Sequence, residues 1–324
     1  MNDLSALDRK IVYELGNNAR ITHKALASKI KSKKSVVSYH IQNLIDEKII
    51  WKFVPVFALN KLGIYAYKIY LKLYGLDKKK KKELIEDLTQ DPVINWVAEA
   101  TGAWDLLLSQ YGHNIMEFAQ TKNALFKKYG QFIQEYSITI LEDALVFNRD
   151  HLEKNAVGYR KKFIFGGNPS LEVIDKKQQK ILRAIKNDGR FQVTKLAKKL
   201  NLNVKTIISK ISDLEKRGII QGYTTFLDIN AIGLKLFKIC IYFQQYTVEE
   251  YKRLLGYCQS HRNVIHIIKS LGDWELELEV EGETVESIYR FIEDLKGKHP
   301  RILKRVDVVI ITKEHKLDFF PEWY

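Results

Sequence analysis

Apolar positions along this chain follow two periods, and each period occurs twice. In the first fifty residues Leu7, Ile11, Val12 and Leu15 recur at helical spacing. Asn17-Asn18 interrupts them, and Thr22 is placed to cap a short second helix bearing Leu26, Ala27 and Ile30. After the Lys31-Ser32-Lys33-Lys34 turn, Ser35 is placed to cap a third helix striped by Val36, Val37, Ile41, Leu44 and Ile45. The extended run Ile49-Ile50-Trp51-Lys52-Phe53-Val54 suits a small wing hairpin. Farther on, residues 64–74, 93–101, 106–111 and part of 132–147 read as strands, with helices at 78–90 and 113–129.

A shift of 170 residues superposes the landmarks without a gap. Arg20 falls on Arg190, Leu26-Ala27 on Leu196-Ala197, Ile49-Ile50 on Ile219-Ile220, Asn60-x-x-Gly63 on Asn230-x-x-Gly233, and Gly102-x-Trp104 on Gly272-x-Trp274. The second copy therefore predicts helices on Ile181, Leu182 and Ile185, on a Thr194-capped Leu196-Ala197-x-x-Leu200, and on Ile207, Ile208, Ile211 and Leu214. Gly218 suits the helix stop there, where the first copy has Lys48, so the two helices are expected to end differently. Strands at 234–244, 263–270, 275–281 and 301–313 and helices at 247–259 and 283–297 complete it. A period this long means a duplicated module rather than a solenoid. The expected class is α+β: two winged helix-turn-helix domains (1–60 and 173–230) alternating with two βαββαβ ferredoxin-like domains (61–147 and 231–324). Residues 148–172 form the linker, whose Gly166-Gly167-Asn168-Pro169 end is a boundary signal and whose Phe163-Ile164-Phe165 is expected to pack as an ordered, strand-like connector.

Charge sharpens this division. Residues 7–53 carry 10 Lys/Arg against 4 Asp/Glu, and residues 174–223 carry 13 against 4. These net charges of +6 and +9 exceed the +14 of the whole chain, so the two helical segments hold the basic excess. That is the footprint of a polyanion-binding surface. The N-terminal Met1-Asn2-Asp3 start is not a secretory signal, and apolar stretches such as Gly63 to Tyr74 are interrupted by Lys68 and Lys72, which leaves no membrane span. Cys240 and Cys258 form no C-x-x-C pair and fit a reducing cytoplasm.

In this order, Leu7-Asp8-x-x-Ile11-Val12, Asn17-x-Ala19-Arg20, Leu26-Ala27, Leu44-x-x-x-x-Ile49-Ile50 and Gly102-Ala103-Trp104-Asp105 resemble the leucine-responsive regulator (Lrp/AsnC) family. Ile181-Leu182, Asp188-Gly189-Arg190, Leu196-Ala197, Leu214-x-x-x-Gly218-Ile219-Ile220 and Gly272-Asp273-Trp274-Glu275 repeat the pattern, so the whole chain looks like a tandem, archaeal-type form. The resemblance implies transcription regulation through double-stranded DNA and pairing through the ferredoxin-like sheets, within one chain or between two. It also implies a small effector such as an amino acid.

A recognition helix shows its N-terminal, solvent-facing side chains to base edges. Here these are Lys34, Ser35, Ser38, Tyr39 and Gln42 in the first copy, and Asn203, Lys205, Thr206, Ser209 and Lys210 in the second. Lys33, Lys195, Arg20 and Arg190 are expected on the phosphate backbone, which positions without specifying. The effector reading attaches to the two turns. Gly102 and Gly272 permit a tight backbone, Trp104 and Trp274 wall a pocket, and Asp105, with Asp273 and Glu275 in the second turn, holds an amine. The plain alternative makes the tryptophans core and the carboxylates turn caps. Two other functions stay open: a sequence-indifferent architectural DNA protein, and an enzyme similar to the siroheme decarboxylases, for which His113 and His266 are the residues of interest. No metal spacing, nucleophile motif or phosphate-cradling glycine loop occurs, so no cofactor and no catalysis are expected.

Overall fold

The computed structural model describes residues 4–153, 160, 162–168 and 170–324. Met1-Asn2-Asp3 of the signal reading and Pro169 of the boundary reading lie outside the described residues. The first copy contains α1 (Ala6–Asn17), α2 (His23–Lys29), α3 (Lys34–Asp46), β1 (Ile50–Phe57), β2 (Tyr65–Leu73), α4 (Lys78–Gln90), β3 (Ile94–Gly102), β4 (Leu106–Gly112), α5 (Ile115–Tyr129) and β5 (Ile133–Phe147). The connector forms β6 (Lys162–Gly166), which pairs with the end of β5. The second copy repeats the order as α6 (Lys176–Ile185), α7 (Val193–Leu200), α8 (Val204–Lys216), β7 (Ile220–Leu227), β8 (Lys235–Phe243), α9 (Val248–Ser260), β9 (Val264–Gly272), β10 (Leu276–Gly282), α10 (Val285–Lys298) and β11 (Leu303–Leu317).

Local chemistry explains the helix ends, with some corrections to the sequence reading. Thr22 does cap α2, its hydroxyl accepting from the Ala25 amide at 3.1 Å. Ser35 and Thr194 do not cap; they lie inside α3 and α7, whose cap positions are Lys33 and Gln192 and have no side-chain cap bond. Reciprocal capping boxes begin α1 (Ser5 with Asp8) and α6 (Asp175 with Gln178), at positions related by the repeat. Lys48 and Gly218 are both left-handed, with φ of 59° and 67°, so the two recognition helices end alike and Lys48 bears a strain that Gly218 avoids.

The wings depart most from expectation. Neither copy makes its own hairpin. β1 pairs antiparallel with β7, and the register sets Val54 opposite Thr224, Phe53 opposite Thr225 and Pro55 opposite Tyr223. Val54 and Thr224 are equivalent in the repeat, so a pseudo-two-fold axis crosses the ribbon there. Each head is also closed by the other copy. Leu227, Ile229 and Leu234 complete the core of α1–α3, while Phe57, Leu59, Leu62 and Ile64 complete that of α6–α8.

The two βαββαβ sheets join in the same symmetric way. β5 pairs with β9, Thr139 opposite Gly272, and β11 pairs with β3, Val309 opposite Gly102. Because β5 also pairs with β2, and β11 with β8, eight antiparallel strands close into a ring. Closure removes the sheet edges that would otherwise need covering. Helices α4 and α5 pack outside one half over Ile69, Val97 and Leu106, and α9 and α10 outside the other over Ile239, Ile267 and Leu278.

Candidate nucleic-acid interface

The core face of α3 is fixed by Val37, Ile41 and Leu44, and that of α8 by Ile207, Ile211 and Leu214. The opposite faces are open to solvent. On α3 they expose Lys34, Ser35, Tyr39 and Gln42, with Lys33 exposed just before. Tyr39 is 64% exposed, and the Gln42 amide is tied to Asp46 at 2.8 Å. Ser38 is less available, because its hydroxyl meets His23 Nδ1 at 2.7 Å and so links α3 to α2. On α8, Lys205 and Ser209 are exposed, whereas Asn203 caps the helix by accepting from the Thr206 amide at 2.7 Å. Lys210 is half-buried and pairs with Asp175 at 2.6 Å, which ties α8 to the start of α6. Sequence periodicity places Ile208 in the core. It is instead 54% exposed and adds an apolar side chain to the presented face, suited to a thymine methyl. The i, i+4, i+7 spacing of Ile207, Ile211 and Leu214 is the signal that Ile208 points elsewhere.

Arg20 and Arg190, expected on the phosphate backbone, have their guanidinium groups engaged by the protein itself. The Arg20 guanidinium donates to the carbonyls of Gly189 and Phe191 at 3.2 and 3.3 Å and lies 4.0 Å over the Phe191 ring. Arg190 donates to the Ile21 carbonyl and lies over Phe53. Each arginine thus clasps the other copy's head. Burial, with the Arg20 charge beside it, pushes Arg190 below its ordinary pKa.

The turn residues of the effector reading are engaged by the fold itself. Trp104 and Trp274 are buried between the sheets with Tyr70. Trp274 Nε1 donates to Glu277 at 3.0 Å, Asp105 accepts from the Leu73 amide and the Lys72 ammonium, and Glu275 accepts from the Phe243 amide. Asp273 is exposed. A Cβ on Gly102 would meet the Val308 carbonyl at 2.4 Å, and one on Gly272 the Ile138 carbonyl at 2.4 Å. These glycines therefore admit the seam strands.

Inside the ring lies a charged cluster from which the first copy supplies only Lys68 and Tyr70. Glu277 accepts from Lys68 (2.8 Å), Lys238 (3.0 Å) and the Tyr70 hydroxyl (2.7 Å), and Lys238 also reaches Glu279 at 2.7 Å. Burial alone would raise the Glu277 pKa, but Lys238 and Lys68 bring it down to about 2. His266 Nδ1 contacts Glu279. A cavity of about 600 Å³ opens between this end of the ring and the β1–β7 ribbon, with Lys68 and His266 in its lining. His113 lies elsewhere, against Trp323. Among the described residues no three His, Cys, Asp or Glu side chains are grouped to hold a metal, and no helix is long and apolar enough to cross a membrane.

A winged helix-turn-helix DNA-binding family model matches the chain twice, at residues 4–50 and 174–221. An HTH-type transcriptional regulator of Pyrococcus horikoshii is 31% identical over 118 residues, which span 79% of it and 36% of this chain. One of Pyrococcus furiosus is 30% identical over 97% of its length and 43% of this chain. The chain belongs to the family of HTH-type transcriptional regulators that these relatives represent. Each of these relatives answers to less than half of the chain, as a tandem form requires. Over the whole chain the fold is similar to the crystal structure of the siroheme decarboxylase NirDL, at 14% identity and TM-score 0.62, covering 96% of this chain and 92% of that one. Its co-complex with an iron-uroporphyrin III analogue gives a TM-score of 0.64 at 14% identity, covering 98% of this chain and 95% of that one.

Proposed function

We propose that this protein is a sequence-specific regulator of the Lrp/AsnC kind, in which one cytoplasmic chain reads two half-sites, one with α3 and one with α8. The observation that carries this reading is the pair of exposed helix faces, Lys34, Ser35, Tyr39 and Gln42 on one head and Lys205, Ile208 and Ser209 on the other. They stand on heads joined by the β1–β7 ribbon and the Arg20 and Arg190 clasps. Gln42 suits adenine and Lys205 suits guanine or phosphate. Lys33 and Lys195, both exposed, serve the backbone. Fluorescence anisotropy on the chain's own upstream DNA and on a scrambled duplex, across a salt series, tests this. A preference for the native duplex that persists as salt rises supports specific reading. Equal binding to both, falling steeply with salt, identifies an architectural protein instead.

A second reading, a siroheme-decarboxylase-like enzyme, is favoured by the whole-chain likeness in fold and by the cavity with His266 in its wall. The lining weighs against it. The cations in the lining, Lys68 and Arg149, are already paired with Glu277 and Glu281, which leaves neither for the carboxylates of a tetrapyrrole. Loss of CO₂ from siroheme on incubation with the chain, abolished in His266→Ala, would establish the enzyme; absence of both DNA binding and turnover would sink both readings.

A further inference from the structure

The cavity beneath the ribbon is lined by no residue of α3 or α8, and its chemistry is specific. Its roof includes Val54, Val56, Thr225 and Phe226 from the ribbon, and its floor is the mouth of the ring. In a chain of net charge +14, the lining is acidic. Most of that acid is already matched. Glu279 has Lys238 at 2.7 Å, Glu281 has Arg149 at 2.9 Å, Asp143 has Lys269 at 2.8 Å, and Glu142 is exposed.

Glu314 is the exception. It stands on β11, surrounded by protein but open to the cavity, and its Oε1 accepts from Trp96 Nε1 at 2.8 Å. No cation lies within ion-pair distance of it among the described residues. Burial raises its pKa; the Trp96 hydrogen bond and the His266 and Lys238 charges oppose the rise, and the Glu279 charge adds to it. A carboxylate so placed, with only the more distant His266 and Lys238 to balance it, favours uptake of a proton or a cation. The roof above it is made by Val54, Val56 and Phe226 of the ribbon, with Thr225 buried among them.

We propose that this cavity binds an organic monocation, a protonated amine on an apolar or aromatic body, with the ammonium on Glu314 and the body against the apolar walls. A volume of about 600 Å³ lies in the range of small-molecule sites. Val54, Val56, Ile140, Val146 and Leu236 give the body of such a ligand apolar walls. Because the occupant touches both the ring and the ribbon that joins the heads, any effect it has on DNA binding is returned equally by DNA on its own binding. That coupling rests on the regulator reading; amine binding itself does not.

The test uses the full chain without DNA and titrates tryptamine, uncharged 3-ethylindole and anionic indole-3-propionate by calorimetry. Tryptamine is expected to bind at least roughly tenfold more tightly than either isostere, a difference of about 1.4 kcal/mol. Glu314→Gln is expected to erase that preference with its thermal midpoint retained. Equal or tighter binding of the neutral or anionic isostere to the wild-type chain overturns the proposal, whether or not the variant folds. So does the absence of measurable tryptamine binding, or tryptamine binding that is indifferent to Glu314→Gln. Repeating the DNA titration with saturating tryptamine then reads the coupling. A chain that binds tryptamine but no DNA keeps the amine site and refutes the regulator.

Discussion

Arg20 and Lys205 are both cations in DNA-reading heads, but their surroundings give them opposite duties. Arg20 is half-buried, with two carbonyl acceptors and a ring beneath it. Arg20→Ala is expected to cost about 2 kcal/mol of stability, in the range for hydrogen bonds to a charged group, while leaving the salt dependence of DNA binding unchanged. Lys205→Ala is expected to leave the thermal midpoint in place and lower the log–log salt slope by about 1. Thermal melts beside salt-series anisotropy separate the two; a reduced slope in Arg20→Ala would return that arginine to the phosphates. Glu277 makes a further case. Its repeat equivalent is Leu107, so Glu277→Leu restores the first copy's residue but strands Lys68 and Lys238 without their shared acceptor. Removing one partner of a buried pair costs about 3–5 kcal/mol. The pKa of Glu277 is lowered from the ordinary 4.5 to about 2, so its stabilising effect is complete above the unfolded value and is lost as pH falls through the folded one. Denaturant midpoints are therefore expected to fall between pH 4.5 and 2 in the wild-type chain, and to fall less steeply in Glu277→Leu.

At the scale of elements, helices are easier to read than the partners of strands. The period of Ile181, Leu182 and Ile185 suffices to place α6, because a helix satisfies its own backbone. β1 and β7 are visible as extended runs, but pairing is non-local and nothing in either run names its partner. A hairpin is the nearest answer from sequence, and the ribbon is the actual one. Left-handed turn positions are half legible: Asn201 and Gly218 advertise them, whereas Lys31 and Lys48 hide the same conformation. The turn tryptophans leave two readings open in sequence, since a residue that seals two sheets has the same composition signal as one that walls a pocket; in the structure they are buried with Tyr70. Gly189 shows how closely the ribbon is held. Its amide donates to the Phe53 carbonyl at 2.7 Å, and a Cβ would come within 2.8–3.0 Å of the Phe53 and Val54 backbone. The first copy has Ala19 at this position, fully buried and bonded to the Tyr223 carbonyl at 3.0 Å, so the seam is tighter on one side. Gly189→Ala is expected to cost about 1–3 kcal/mol by overpacking, with Ala19→Gly much milder. Equal midpoints for wild-type and Gly189→Ala protein would mean that the ribbon yields.

For the molecule as a whole, the ring and the ribbon have the same consequence. Both ferredoxin-like sheets use their pairing edges on each other inside one chain, and both heads exchange closing segments inside one chain. A second copy is therefore not needed to present two recognition helices. The backbone keeps the pseudo-two-fold symmetry, since Val54 faces Thr224 and the seams repeat at Thr139–Gly272 and Val309–Gly102. The side chains do not keep it. Lys34, Ser35, Tyr39 and Gln42 on α3 correspond to Val204, Lys205, Ser209 and Ser212 on α8, so every one of these four positions changes its chemistry or its reach. Symmetric spacing with unlike reading faces calls for two half-sites a fixed distance apart whose base sequences differ. Selection from random DNA is expected to enrich a site with a fixed polarity, and binding to it is expected to be first order in protein, with a complex of one 37.9 kDa chain per duplex by light scattering. Strict palindromes among the selected sites, or binding that rises with the square of concentration, would mean that two chains each lend one head, and that the symmetry used on DNA is the one between molecules.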